Sequence, residues 1–156
     1  AVKTMASIAE QAEKDKLHEN DIDIPLCDFD DVTGFLSRNA IESTRHLEVK
    51  CIITDTVTGK TARNLSAYRA SNPIFSLCCN HKIHRVLSLS YGVIPVIQQE
   101  GLTSHEQYME ALDTLLQDGY ISMDDKVAYL SGSLGHGGGN TFLEINKVRD
   151  IIEKMS

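Results

Sequence analysis

The sequence predicts a three-layer α/β domain in which helices cover both faces of a mostly parallel five-stranded sheet. First, strand patterns and helix patterns alternate along the chain from residue 49 onward. Second, the helices between the first three strands are long enough for right-handed crossovers, which makes those strands parallel. Third, only a short loop joins the last two strand patterns, so we expect the final strand to be antiparallel.

The predicted elements can be taken in chain order. Apolar residues at helical spacing predict a helix over 2–14 and, after a cap at Asp30 or Asp31, a second helix. Thr103 and Glu106 form a capping-box pattern ahead of a helix that ends near Gly119. The remaining predictions are strands at 49–53, 73–78, 93–97, 126–130 and 141–145 and helices at 61–68, 81–90 and 148–155.

Composition excludes several classes of function. The 156 residues carry a formal net charge of −7 without a lysine or arginine run, which argues against a nucleic-acid or anionic-membrane surface. No apolar run approaches the length of about 18 residues that spans a bilayer. The spacing of Cys27, Cys51, Cys78 and Cys79 predicts no disulfide framework, so we expect a soluble protein of the reducing cytoplasm.

The segment between the first predicted strand and the following helix is a candidate phosphate loop. Thr56, Thr58, Gly59, Lys60 and Thr61 place hydroxyls, a glycine and a lysine where a helix begins. A helix start offers unpaired N–H groups and the positive end of the helix dipole, both of which suit a phosphoryl group. The alternative is a helix that binds nothing, with Thr58 as its N-cap and Lys60 solvated.

A glycine-rich stretch, residues 132–140, is the second candidate binding segment. It holds five of the ten glycines of the chain. Such a loop lets backbone N–H groups approach a ligand closely. If the strands before this loop and before the phosphate loop are parallel, the two loops leave the same edge of the sheet and could wall one pocket. The alternative is a flexible hairpin between edge strands.

The clusters of Cys, His and Asp residues in the sequence do not predict a metal site or a catalytic site. Cys78, Cys79, His81 and His84 suggest zinc, but neighbouring strand residues point to opposite faces, so four ligands cannot easily converge. We expect a buried thiol, a helix cap at Asn80 and surface histidines instead. The acidic cluster at 28–31 is better explained by helix capping than by a metal. We therefore expect no metal, no cofactor and no catalytic residue in this chain.

The residues Gly59-Lys60-Thr61 also match the end of a Walker A motif. The complete motif requires glycine where Thr54 stands, and without it the loop could not easily curl around a β-phosphate. A nucleotide hydrolase of the P-loop type is therefore a weaker alternative.

Several motifs together resemble the C-terminal domain of pyruvate kinase. Their order and spacing hold over about a hundred residues, and the opening helix resembles the one by which pyruvate kinases leave their catalytic barrel. The motifs are Val49-Lys50-x-Ile52-Ile53, Thr58-Gly59-Lys60-Thr61-Ala62-Arg63, Leu65-Ser66-x-Tyr68-Arg69, Pro73-Ile74, Arg85-x-Leu87-x-Leu89 and Gly92-Val93-x-Pro95-Val96. The resemblance implies two parts, a helix and connector over 1–27 and an α/β domain over 28–156.

The resemblance also implies a function for the parent enzyme and a different one for this piece. The parent transfers a phosphoryl group from phosphoenolpyruvate to ADP in glycolysis, giving pyruvate and ATP, and uses Mg²⁺ and usually K⁺. Its active site lies in the barrel, which would precede Ala1, so this piece alone should be inactive. In this family the C-terminal domain is the allosteric module, and members are commonly homotetramers that associate through these domains, often near the last strand.

Carried over residue by residue, the resemblance assigns the effector's phosphate to the candidate phosphate loop. The opposing effector loop corresponds to Gly135, His136, Gly137, Gly138 and Gly139. Some members place an arginine there, whereas His136 is the only ionisable residue in this loop, so the identity of the effector stays open. If His136 contacts phosphate, binding should favour mildly acidic pH. The alternatives are a structural assembly domain that binds no ligand and, less favoured, the nucleotide hydrolase.

Overall fold

The computed structural model describes residues 1–15, 31–132 and 140–154. The elements in these ranges are α1 Val2–Asp15, α2 Val32–His46, β1 Val49–Asp55, α3 Lys60–Ala67, β2 Ile74–Cys78, α4 His81–Leu87, β3 Val93–Ile97, α5 Ser104–Gln117, β4 Lys126–Gly132, β5 Asn140–Lys147 and α6 Val148–Glu153. The predicted connector after α1 falls largely on residues 16–30, outside the described ranges.

The five strands form one sheet in the order β3-β2-β1-β4-β5. Strands β1, β2, β3 and β4 run parallel to one another, and β5 is antiparallel to β4. The predicted fold class is therefore confirmed, including the antiparallel last strand. The chain moves outward from β1 through β2 to β3, and α5 then returns it to the other side of β1. The direction of winding thus reverses between β1 and β4, which makes this pair the topological switch point of the sheet.

Helices pack on both faces of the sheet, in two separate apolar clusters. One face carries α2, α3 and α4, whose buried residues include Ile41, Leu65 and Leu87. The other face carries α5 and α6, with Leu112 and Ile151 among the buried residues. Burying a leucine or isoleucine side chain contributes about 1.5 to 3 kcal/mol, so both clusters stabilise the packing of the helices on the sheet.

Capping residues explain where several helices begin. The Asp31 side chain accepts a hydrogen bond from the Gly34 N–H (2.9 Å), so Asp31 rather than Asp30 caps α2. Thr103 and Glu106 make the predicted capping box of α5, and Asn80 caps α4 as predicted. Helix α4 ends at Leu87, earlier than predicted, because the N–H groups of the residues after Ser88 make tighter i to i−3 bonds, as in Leu89 N–H to Val86 O.

Helix α1 makes no buried contact through any side chain whose exposure is described. Its apolar stripe is open to solvent, with Val2 at 81%, Met5 at 69% and Ile8 at 64% exposure. The helical spacing in the sequence is confirmed, but the stripe does not join the domain's core. This amphipathic face therefore has no partner among the described residues.

Candidate functional site

The candidate phosphate loop leaves the sheet at its switch point. Strand β1 extends two residues further than the sequence pattern predicts, through Thr54 and Asp55, and the chain then turns away at Thr56. The Thr56 N–H donates to the Leu77 carbonyl of β2 (3.0 Å), which ties the start of the loop to the neighbouring strand. Since β4 is paired in parallel to β1, its last residue, Gly132, lies at the same edge of the sheet. Both predicted binding segments thus begin at adjacent strand ends.

Gly59 gives the loop its shape. Its φ of +78° is left-handed, a conformation that favours glycine, and its N–H donates to the Thr56 hydroxyl (2.8 Å). A Cβ at this position would lie 3.2 Å from Leu87 Cδ2 and 3.5 Å from Ile83 Cγ2. The loop therefore packs closely against α4, and the Thr56 hydroxyl serves as an acceptor inside the loop.

Helix α3 begins without a side-chain cap. Gly59 is its N-cap residue, so the alternative in which Thr58 caps this helix is wrong. The described part of the chain supplies no acceptor side chain to the first N–H groups of α3, at Lys60, Thr61 and Ala62. These groups and the positive end of the helix dipole point out of the sheet edge, as anion binding requires.

The predicted phosphate-binding side chains differ in accessibility. Thr58 and Lys60 are exposed, so both can reach a ligand at the helix start. Thr56 is half-buried with its hydroxyl bonded to the Gly59 N–H, and Thr61 is only 7% exposed. The structure thus brings all five predicted residues into one turn, with Thr61 offering its backbone N–H more readily than its hydroxyl.

A contact between Asp55 and Ser131 joins the two strand ends and escaped the sequence prediction. The Ser131 hydroxyl donates to Asp55 Oδ2 (2.8 Å), and the Ser131 side chain is fully buried. The sequence pattern ended β1 at Ile53 and β4 at Leu130, so neither residue appeared as part of a strand. The signal that could have found them is a polar residue one or two positions after each apolar run, at neighbouring parallel strands.

The start of α5 lies on the other side of the same edge. The Tyr129 hydroxyl of β4 donates to the Ser104 carbonyl (3.1 Å), and the Tyr129 ring stacks on Tyr108 of α5 with 3.9 Å between ring centroids. Burial raises the pKa of both tyrosine hydroxyls, so they stay protonated at neutral pH. This pair fixes the first turn of α5 beside the switch point.

The predicted effector loop, Gly135 to Gly139, lies outside the described residues. The structure describes its two ends: β4 runs to Gly132 and β5 begins at Asn140, paired with Gly132. The placement of His136 against a ligand therefore stays a prediction.

The cysteines of the described chain show no sign of a metal centre. No group of three or more His, Cys, Asp or Glu side chains among residues 1–15, 31–132 and 140–154 is arranged to hold an ion. Burial raises the pKa of the Cys51 thiol to about 12 and also raises the pKa of the Cys78 thiol. Cys79 is half-buried and accepts a hydrogen bond from the Gln107 amide of α5 (3.4 Å). The two buried thiols therefore behave as small apolar groups.

The position of Thr54 argues against the nucleotide hydrolase. Thr54 stands where a Walker A motif needs glycine, and it lies fully buried within β1 rather than in the loop. The loop proper is too short to wrap a chain of phosphates.

No helix in the described part of the chain is long and apolar enough to cross a membrane.

Comparisons with known proteins agree with this architecture. The family described as "Pyruvate kinase, alpha/beta domain" matches residues 35–145. Pyruvate kinase of Borreliella burgdorferi is 33% identical over 98% of this chain and 33% of that enzyme. Pyruvate kinase of Bacillus licheniformis is 27% identical over 99% of this chain and 26% of that enzyme, and that of Clostridium acetobutylicum is 31% identical over 85% and 28%.

The chain thus spans about a third or less of the length of these curated relatives. The matched family covers the whole sheet from β1 to β4 and most of β5, together with the candidate phosphate loop. From the family match and the relatives together, we conclude that this chain belongs to the pyruvate kinase family and contains its C-terminal α/β domain.

Proposed function

We propose that this chain is the regulatory and assembly domain of a pyruvate kinase and that it binds a phosphorylated effector between the 56–61 and 135–139 loops. The observation that carries the proposal is the position of the first loop. It leaves β1 at the switch point of an open, mostly parallel sheet, next to the end of β4. Ligands of such sheets bind outside the carboxyl ends of the strands at this point.

The chemistry of the loop supports a phosphoryl group. The uncapped N–H groups at the start of α3 are neutral donors that need no rearrangement, and the exposed Lys60 supplies a positive charge. In a chain with net charge −7, such a local donor cluster is where an anion is best accommodated. The effector's phosphate would therefore rest on the first turn of α3, with the rest of the ligand toward β4.

The activity proposed for the parent enzyme is transfer of a phosphoryl group from phosphoenolpyruvate to ADP, with Mg²⁺ and K⁺, in cytoplasmic glycolysis. We propose that its catalytic barrel and metal site lie outside this chain and that the chain alone has no kinase activity. The exposed stripe of Val2, Met5 and Ile8 on α1 supports a packing partner of this kind, because an amphipathic helix buries its apolar face against another element.

Thermal unfolding against a panel of phosphorylated compounds tests effector binding. The panel contains fructose 1,6-bisphosphate, glucose 6-phosphate, ribose 5-phosphate, AMP and ATP. A ligand at a hundredfold excess over its Kd adds about 2.7 kcal/mol of stability, or about 5 to 10 °C for a domain of this size. We expect one compound to give such a shift and Lys60→Ala to remove it.

Lys82→Ala is the matched control for that experiment. Lys82 is also exposed in the first turn of a helix, but the Asn80 side chain accepts a hydrogen bond from its N–H (2.7 Å). The control should keep the full stabilisation. Equal loss in both variants would show that the ligand responds to general charge rather than to the 56–61 loop. Absence of any shift in the wild-type chain would contradict effector binding by this domain.

Self-association is the second part of the proposal. Strand β5 is an edge of the sheet, and Phe142 on it is 42% exposed. An edge strand with unpaired backbone groups and an exposed aromatic ring can pair with a second copy of the chain about a two-fold axis. Such pairing would support a homotetramer in the parent enzyme and would remain if the domain bound no ligand.

Light scattering after size exclusion measures this association. Phe142→Ser should shift the chain toward the monomer, whereas Tyr120→Ser should not, although Tyr120 is 49% exposed. A wild-type chain that is monomeric at every concentration up to about 100 μM would leave no role for β5 in assembly of the isolated chain.

A further inference from the structure

The helices on the two faces of the sheet carry opposite charge. On one face, α3 and α4 together contain two lysines and two arginines and no aspartate or glutamate. On the other face, α5 contains three carboxylates and no lysine or arginine, and α6 adds two carboxylates and one arginine. The whole chain has a net charge of −7, so its positive charge is concentrated in one part of the surface.

The basic part is continuous in the sequence and in space. No Asp or Glu occurs from residue 56 to residue 99, the stretch that supplies α3, β2, α4 and β3. The start of α3 lies against α4, since a Cβ on Gly59 would be 3.2 Å from Leu87 Cδ2. All four cationic side chains are exposed, and none forms an ion pair with a carboxylate of the described residues. We call this surface the basic face, and its members are Lys60, Arg63, Lys82 and Arg85.

The acidic surface lies on the opposite side of the same strands. Helix α5 packs on β1 and β2 from this side, whereas α3 packs on β2 from the other. Glu110 and Asp113 are exposed and three residues apart, so they lie next to each other on α5. The arginine of α6, Arg149, is paired with Asp124 (2.8 Å) rather than with a carboxylate of these helices. We call this surface the acidic face, and its members are Glu106, Glu110, Asp113, Asp150 and Glu153.

We propose that the basic face docks the acidic face of a second copy of this chain. The two faces lie back to back across the sheet, so a copy displaced along the sheet normal places its acidic face on the basic face of the next. A nucleic acid is a poorer match, because the acidic face and the net charge of −7 would repel its phosphates.

This contact differs from the proposed pairing of β5 strands. It joins two different surfaces, so it does not close when two copies meet, and further copies can add. It is made by exposed ion pairs, which are individually weak and are screened by salt. Charges are screened beyond about 10 Å at 0.1 M salt and beyond about 3 Å at 1 M, so the contact should form at the lower concentration and dissociate at the higher one.

Light scattering after size exclusion, at about 0.1 M and about 1 M NaCl, tests the proposal. The mass of the wild-type chain at the lower salt should rise with protein concentration beyond that of two copies, and the excess should disappear at the higher salt. Association through β5 does not depend on ion pairs, so Phe142→Ser should leave this salt-sensitive part unchanged. The result is therefore independent of effector binding and of β5 pairing.

Charge reversal identifies the two faces. Arg63→Glu with Arg85→Glu should abolish the salt-sensitive association, and so should Glu110→Lys with Asp113→Lys. A mixture of these two double variants should associate more than either alone, because each supplies the charge that the other lacks. Lys3→Glu with Lys14→Glu is the matched control: it makes the same change in net charge on exposed residues of α1, and it should keep the association.

Circular dichroism checks that each variant is folded. Arg63→Gln with Arg85→Gln, which only removes charge, should weaken the association and replaces the reversal variant if that chain does not fold. A wild-type chain without salt-sensitive association, an equal loss in the α1 control, or no recovery in the mixture would overturn the proposal. Binding of a labelled oligonucleotide through Arg63 and Arg85, without association of copies, would overturn it too and would assign the basic face to polyanions.

Discussion

Replacing Gly59 by alanine tests the loop geometry on which the site depends. The wild-type φ of +78° is left-handed, and alanine in that region costs about 1 to 2 kcal/mol. The new methyl group would also lie 3.2 Å from Leu87 Cδ2 and 3.5 Å from Ile83 Cγ2, and such overpacking adds about 1 kcal/mol. We therefore expect a loss of about 2 to 3 kcal/mol, which for a domain of this size lowers Tm by about 5 to 10 °C.

Gly119→Ala separates the two contributions. Gly119 has a φ of +74°, nearly that of Gly59, but an added Cβ there meets nothing within 4 Å. This control should lose only the conformational part, about 1 to 2 kcal/mol. Urea denaturation followed by circular dichroism measures both variants under the same conditions. A Gly59→Ala chain as stable as wild type, or no less stable than Gly119→Ala, would refute the packing of this loop against α4.

Three further predictions concern the described part of the chain. Asp31→Ala removes the acceptor of the Gly34 N–H and should cost about 1 kcal/mol in urea denaturation; an unchanged midpoint would exclude Asp31 as the cap of α2. Hydrogen bonds from the Thr103 N–H and hydroxyl lower the pKa of Glu106, so the stability that Glu106 contributes is complete above pH 4.5 and is lost as pH falls through the lowered pKa. Unfolding midpoints measured from pH 7 to pH 3 should therefore fall less in Glu106→Gln than in the wild-type chain. Identical pH profiles for the two chains would contradict this contribution. Burial raises the pKa of the Cys51 thiol to about 12 and should protect it from iodoacetamide in the native state, while the half-buried Cys79 reacts. Peptide mapping of the labelled chain measures this difference. Equal labelling of both cysteines would contradict the burial of Cys51.

Local sequence signals predicted the fold because they agreed with one another. The buried strands read as short apolar runs, and the capping residues Asn80 and Thr103 stand directly before the helices that they begin. Each of these signals involves residues within a few positions of one another, so it can be recognised in the sequence without the structure. The first three strands were predicted to be parallel because each connecting helix is long enough for a right-handed crossover, whereas no strand order was predicted.

The sequence could not give the details of the site, because they depend on contacts between distant segments. Asp55 and Ser131 are 76 residues apart, and only the pairing of β1 with β4 brings them within 2.8 Å. The left-handed conformation of Gly59 and its close approach to α4 were likewise not predicted, and α3 begins at Lys60 with Gly59 rather than Thr58 as its N-cap residue. The contacts of a polar residue at a strand end depend on which strand lies next to it, and a local sequence pattern does not specify that strand.

Amide chemical shifts would show whether the first turn of α3 binds a phosphoryl group. Glucose 6-phosphate or ribose 5-phosphate would be titrated into the ¹⁵N-labelled chain and followed by two-dimensional NMR. We predict saturable shifts of the N–H signals of Lys60, Thr61 and Ala62. The N–H signals of Lys82 and Ile83 should stay in place, because the Asn80 side chain already accepts from both. Shifts at the start of α4 with none at the start of α3, or no saturable shift anywhere, would contradict phosphoryl binding by the first turn of α3.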